Sequence, residues 1–291
     1  MFVALILAAL LTPFQPIDVS STRFAVIGDY GKDGTPELNV SQLVKSWNPD
    51  FIVTVGDNNY ETGSASTIDQ NIGKYYHEFI FNYNGSFGGG SQSFRFMPVP
   101  GNHDWGNAPN NPTGLDPYLA YFTLPYNEHY YNFRVGPVEF FFLDSDLNEP
   151  DGTASNPVQA EWCHAAMLSS KATWKIPVFH HAAYSSGQHG STYYMRWPFE
   201  LWGATATFAG HDHTYERLKV GNIPYFVNGL GGKSLYPFVN IAPESQFRYN
   251  ADYGAMLVTA TNRFILFQFY NRQYQLIDQY LMFASPLIKH R

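Results

Sequence analysis

The sequence is poor in cysteine and in charge, and it has no basic run. A single cysteine, Cys163, among 291 residues excludes an intrachain disulfide and any zinc site built on several thiolates. Charged residues make up 14% of the chain, Lys and Arg form no cluster, and the net charge is −7. Nucleic acid is therefore not an expected partner, because its binders carry a basic patch. The same background repels anions, so affinity for an anionic substrate has to come from local positive charge such as a metal ion. Apolar runs long enough to span a membrane are missing too. The apolar residues 1–11 are too short for a span and fit the hydrophobic region of a signal peptide. Residues 1–20 are accordingly expected to be a leader and the protein to be exported. The sequons Asn39-Val40-Ser41 and Asn84-Gly85-Ser86 have meaning only in a eukaryotic secretory pathway. Internal repeats and linker-like stretches are absent, so residues 21–285 read as one domain.

What is present is apolar and aromatic. Hydrophobic residues make up 45% and aromatics 18%, a composition that supports a sizeable core and argues against disorder. Cys163 lies in a helical pattern and reads as a small core residue. After residue 22 the chain alternates strand, loop and helix. Strands are expected at residues 24–27, 51–55, 94–99, 138–143, 176–179 and 204–209, and helices at 36–47, 67–80 and 157–169. Residues 82–93, rich in Gly, Ser and Asn, read as an exposed loop. The last third reads as strands. This alternation predicts an α/β fold with helices packed on the faces of a sheet.

Five polar clusters follow five apolar strands. They are Gly28-Asp29-Tyr30-Gly31, Gly56-Asp57-Asn58-Asn59-Tyr60, Gly101-Asn102-His103-Asp104, Val178-Phe179-His180-His181 and Gly210-His211-Asp212-His213. A lone Gly-Asp after a strand is ordinarily a turn, and a lone His pair is ordinarily a surface feature. Five in series at strand ends, where open α/β sheets place their ligands, are not explained that way. Carboxylates, imidazoles and an amide oxygen form a mixed N/O set suited to Fe, Mn or Zn. A bridging carboxylate can hold two such ions close enough to activate water and grip a phosphoryl group. His180 neighbours His181, so on a regular strand it faces the other way and is expected to support a ligand from behind or to pack. Asp104, Asp144 and Asp212 are candidates for orienting imidazoles, although Asp144, with Asp146, reads rather as a turn residue. Glu216 and Arg217 are expected to pair with each other. Gly229-Leu230-Gly231-Gly232 lacks a P-loop ending and reads as a turn.

The five blocks, in this order, resemble the calcineurin-like metallophosphoesterases and, within them, the purple acid phosphatases. The matching patterns are Asp-x-Gly, Gly-Asp-x-x-Tyr, Gly-Asn-His-(Asp/Glu), Val-x-x-His and Gly-His-x-His, and the resemblance covers residues 23–232. It implies a four-layer αββα sandwich of two mixed β-sheets, in the small single-domain form. It also implies two metal ions per chain, Fe(III) plus a divalent Fe, Zn or Mn. Asp29, Tyr60 and His213 match the ferric ligands, Asp57 the bridging carboxylate, and Asn102, His181 and His211 the divalent ligands. His103 and His189 match histidines that contact the substrate. Where relatives often carry two prolines after the Val-x-x-His histidine, this chain has Ala182 and Ala183. The implied reaction is hydrolysis of a small phosphate monoester, with hydroxide formed at the metals attacking phosphorus. A phosphodiesterase on the same fold and a non-catalytic secreted binding protein are the rival readings.

Overall fold

The computed structural model describes residues 16–17, 19–106 and 114–284. The leader expected at residues 1–20 falls largely outside them. The chain forms two mixed sheets. In the first, β1 (Ser21–Ile27), β2 (Phe51–Thr54) and β3 (Phe96–Met97) run parallel. Antiparallel strands β11 (Gly254–Thr261), β12 (Phe264–Asn271) and β13 (Leu276–Phe283) extend it beyond β1. In the second, β5 (Val138–Phe142), β6 (Trp174–His181), β7 (Thr207–Gly210) and β9 (Ile223–Asn228) run parallel. Antiparallel β4 (Tyr131–Val135) flanks β5, antiparallel β8 (Tyr215–Val220) flanks β9, and β10 (Ser245–Tyr249) pairs antiparallel with β8 at the edge.

The period-2 alternation of side chains sorts the second sheet into two faces. Phe140, Phe142, Ile176, Val178, Phe208 and Phe226 share a core with the first sheet, whereas Phe141, Leu143, Phe179, Ala209 and Val227 form a separate one. Aromatic rings join the sheets face to face. Phe24 of β1 meets Phe140 edge-on at 5.1 Å, and Phe267 of β12 meets Phe226 at 4.7 Å. Fully burying each such ring contributes roughly 1.5–3 kcal/mol.

Helices close the outer faces. In α1 (Thr35–Ser46), buried Val40, Leu43 and Val44 fall at helical spacing and join the core of the first sheet, against β11. A helical run passes from a π turn (Asp69–Gly73) through α2 (Lys74–Tyr76) to a 3₁₀ turn (His77–Phe79), where one continuous helix was expected. A short α3 (Asp116–Tyr121) follows. The fourth, α4 (Val158–Ser169), buries Ala160, Cys163 and Met167 in the second core, which places Cys163 as expected. The strand expected at residues 94–99 shrinks to two residues. Strands β4, β8, β10 and β13 and helix α3 were not expected individually. The loops after β1, β2, β3, β5, β6 and β7 gather where the sheets meet.

Candidate active site

Asp29 follows β1 and Asp57 follows β2. Both adopt a left-handed backbone, φ 52° each, and His211, just past β7, does the same at 71°. Such a conformation is uncommon for a residue with a side chain and costs on the order of 1–3 kcal/mol. The loops hold one another in place. Asp29 N–H donates to Gly56 C=O at 3.1 Å and Tyr60 N–H to Gly31 C=O at 2.8 Å. His211 N–H donates to both carboxylate oxygens of Asp29, at 3.2 and 3.1 Å.

One half of the site is acidic. The Tyr60 hydroxyl lies 2.8 Å from Asp57 Oδ2, 3.3 Å from Asp29 Oδ1 and 3.1 Å from His213 Nε2. Asp29, Asp57 and His213 are buried and offer ligand atoms all within 4.8 Å of one another. Among the described residues, no Lys or Arg pairs with either carboxylate. Only histidines stand against these buried carboxylates, and buried charges need pairing, so this donor set fits a cation. Burial raises the Tyr60 phenol well above its usual pKa, and Asp57 and Asp29 add to the effect. Without a metal it is a neutral donor. His213 is fixed by Ser234 Oγ, 2.6 Å from Nδ1, and by the Tyr236 ring stacked on it at 4.0 Å.

The other half is imidazole, and here the structure corrects the expectation that His180 faces away. His180 is fully buried. Its Nε2 lies 3.3 Å from Asp57 Oδ2 and 3.2 Å from Asn102 Oδ1. Its Nδ1 meets Val55 C=O at 2.8 Å. A carbonyl only accepts, so Nδ1 carries the proton and Nε2 points into the site. Burial would lower its pKa, but the Asp57 carboxylate pushes it up to about 10 in the metal-free protein. In turn, His180 holds Asp57 well below the usual carboxylate range against the effect of burial.

The cause of the change is the alternation itself: Ile176 and Val178 face the first sheet and Phe179 the second core, so His180 falls on the inner face. A slipped ladder concerns His181. Val178 pairs with Phe208, yet His181 pairs with Gly210, so β6 spends one residue more than β7. Such a bulge re-aims side chains. His181 also lies close, its ring 4.5 Å from His211. Ser145 Oγ accepts the backbone N–H of both His180 and His181. Its hydroxyl proton is left for His181 Nδ1 at 3.0 Å, so the ring proton of neutral His181 sits on Nε2. Burial, with His180 beside it, lowers the His181 pKa to about 3. Burial likewise depresses His211 well below the usual value, with His181 adding to it.

His103 and His189 stand at the mouth. His103 Nδ1 donates to Glu61 C=O at 2.6 Å, which leaves Nε2 facing Asp57 Oδ2 at 3.9 Å. His189 is exposed and stacks on His211 at 4.2 Å. Asp104, Asp144 and Asp212 bond no imidazole. Asp212 accepts the amides of His189 and Gly190, at 2.7 and 3.1 Å. Asp144 accepts the Trp105 indole at 2.9 Å. Asp104 Oδ2 accepts Gly101 N–H and both nitrogens of Asn58. Burial, with Asp57 nearby, raises Asp104 to about 7. Glu216 and Arg217 do not pair with each other. Glu216 accepts from Ser186 N and Oγ, and Arg217 pairs with Asp278 at 2.7 Å. The 229–232 turn is structural: Gly231 N–H bonds Gly28 C=O.

Several contributors were not read from the sequence. Asn58, inside the Gly-Asp-x-x-Tyr block, also accepts from the hydroxyls of Tyr30 and Thr54 and donates to Val99 C=O. It thus ties the loops after β1, β2 and β3. Ser145, Ser234 and Tyr236 lie in no motif, and only the folded chain brings them in.

Comparison with known proteins resolves the family. The model of the calcineurin-like phosphoesterases matches residues 22–215, more than half of the chain. The chain belongs to that family. It is a phosphoric ester hydrolase, and its two-sheet architecture is the metallophosphoesterase fold. Among curated relatives, purple acid phosphatase 17 of Arabidopsis thaliana is 26% identical over 74% of this chain and 69% of its own. Human tartrate-resistant acid phosphatase type 5 is 24% identical over 78% of each. Among solved structures, the purple acid phosphatase PPD1 of yellow lupin seeds superposes with a TM-score of 0.77 at 20% identity, over 94% of this chain and 55% of that one. GAP50, described as the anchor in the inner membrane complex of Plasmodium, superposes with a TM-score of 0.70 at 18% identity, over 92% and 90%. These two likenesses concern the fold.

Proposed function

We propose that the protein is an acid phosphatase of the purple acid phosphatase type, hydrolysing phosphate monoesters at a dinuclear centre. The observation that carries this reading is the meeting of the Tyr60 phenol oxygen with Asp29, Asp57 and His213. Asp29, Tyr60 and His213 would hold a ferric ion, and Asp57 would bridge. Asn102, His211 and His180, rather than His181, would hold a divalent ion. When bound, the ions supply charge that neutralises phosphate oxygens and makes a water acidic enough to furnish hydroxide.

The chain's own groups do the rest. Tyr60 and Asp57 arrive on one loop, so a single backbone conformation sets both donors. The Nδ1–H bond of His103 to Glu61 fixes its tautomer and leaves Nε2 to address the ester. His189, on a loop held by Asp212, stands over the His211 ring. Either ring can stabilise the leaving oxygen or deliver a proton to it, a contribution of about 10²–10⁴-fold.

The test is the visible spectrum of the metal-loaded protein with an ester panel. A phenol normally has a pKa near 10 and ionises beside a strong local cation, so iron should give a phenolate charge-transfer band. Tyr60→Phe should remove the band and keep the fold. A colourless iron-loaded wild type, or a coloured Tyr60→Phe variant, would overturn the assignment. Faster cleavage of diesters than of monoesters would move the reading to a phosphodiesterase.

A further inference from the structure

A cluster of two cations and one anion stands at the mouth beside Tyr60, outside the donor set. Lys233 lies over the Tyr60 ring, its Nζ 4.9 Å from the centroid. It pairs with Glu61 Oε1, and Lys32 Nζ reaches the same oxygen at 3.0 Å. Two ammonium groups on one carboxylate leave a local excess of positive charge, in a chain of net charge −7.

The backbone of Lys233 is fixed. Its N–H donates to Asp29 C=O at 3.1 Å, and the next residue, Ser234, holds His213. Glu61 in turn offers its backbone carbonyl to His103. Lys233 therefore stands one tyrosine ring from the converged donor atoms and beside the rim that His103 occupies. Each ammonium has three N–H donors, and Glu61 takes only part of that capacity. An ordinary exposed Lys–Glu pair contributes little. Here the pairing is unbalanced and abuts the site.

We propose that Lys233 and Lys32 form an anion subsite next to the scissile phosphate, which favours substrates carrying a second anionic group, phosphate or carboxylate, near the ester. The proposal deepens the phosphatase reading and rests on it for the identity of the first subsite. Glu61 occupies the lysines until that second anion displaces it, and so sets the threshold for binding.

The test is calorimetric binding to the metal-loaded full chain of three unhydrolysable probes: methylphosphonate, methylenediphosphonate and phosphonoacetate. Wild type should prefer the two probes with a second anionic group to methylphosphonate. Lys233→Gln should lower that preference about tenfold, the scale of one charge-assisted hydrogen bond. Lys32→Gln should lower it less, and Glu61→Gln should raise it. Comparing variants removes the part of the preference that comes from the metals themselves. Which of these two probes responds more identifies the second group as phosphate or carboxylate. An unchanged preference in both lysine variants overturns the subsite. Because the probes are not turned over, a lysine-dependent preference in a protein that hydrolyses no ester would leave the subsite standing and sink the phosphatase reading instead.

Discussion

Asp29, Asp57 and Asn102 leave the first sheet just beyond β1, β2 and β3, three adjacent parallel strands. His180, His181 and His211 come from β6 and β7 of the second sheet, at the point where the ladder slips by one residue. The acidic half is built by regular exits: β1 and β2 stop, a left-handed residue follows, and its carboxylate faces inward. In the imidazole half, alternation along β6 turns His180 inward with Val178, and only the bulge keeps His181, which would otherwise face the outer core, beside His211. Regular geometry thus suffices to gather the carboxylates and His180, while keeping the neighbouring imidazole close as well takes a local defect and the Ser145 hydroxyl that serves it.

The strongest way to break this contrast is to exchange the two histidines. His180→Ala should cost turnover about 100-fold or more, above the range seen when groups supporting a metal ligand are lost. His181→Ala should cost no more than about tenfold. Steady-state rates on an aryl phosphate decide it, and equal losses would erase the distinction.

Asn58 is the corresponding support of the acidic half. Asn58→Leu leaves the hydroxyls of Tyr30 and Thr54, Val99 C=O and Asp104 short of partners. Stability should fall by about 3 kcal/mol or more, as for other buried networks, read as a lower urea midpoint. Ser145→Ala strips two buried amides of their acceptor. It should destabilise by about 1–3 kcal/mol and lower turnover, and Ser145→Thr should recover part of both.

At the periphery the contrast should fade. Asp33 pairs with Lys74 at 2.7 Å, and Lys74 and Tyr75 lower its carboxyl from 3.8 to about 2. A depressed pKa means that this contribution is present above about pH 4 and lost as pH falls through about 2. Asp33→Asn should cost less than about 1 kcal/mol at pH 7 and nothing at the acid end. Urea melts across that range check both the size and the sign.

The sequence made the acidic half legible because its signals are local. Asp57 and Tyr60 lie three residues apart on one loop, and Gly-Asp after an apolar run marks a strand end. The core strands were legible for the same reason, since β1, β2, β5 and β7 are short apolar runs bounded by glycine or proline. Strands β4, β8, β10 and β13 mix polar and apolar residues and need their partners to declare them. Alternation made His180 and His181 face opposite ways, and taking His181 for the site residue sent His180 outward, whereas the folded strand puts His180 on the inner face with Ile176 and Val178. Lys233, Ser234 and Tyr236 reach the site from a loop whose only mark was its preceding glycines.

The central claim is a dinuclear centre whose second ion depends on His180. Metal-to-protein ratios after iron-supplemented expression test it most directly. The account requires close to two ions per chain, one of them iron, in wild type and in His181→Ala, and about one in His180→Ala. A single ion in wild type, or loss of an ion from His181→Ala with His180→Ala intact, would contradict it.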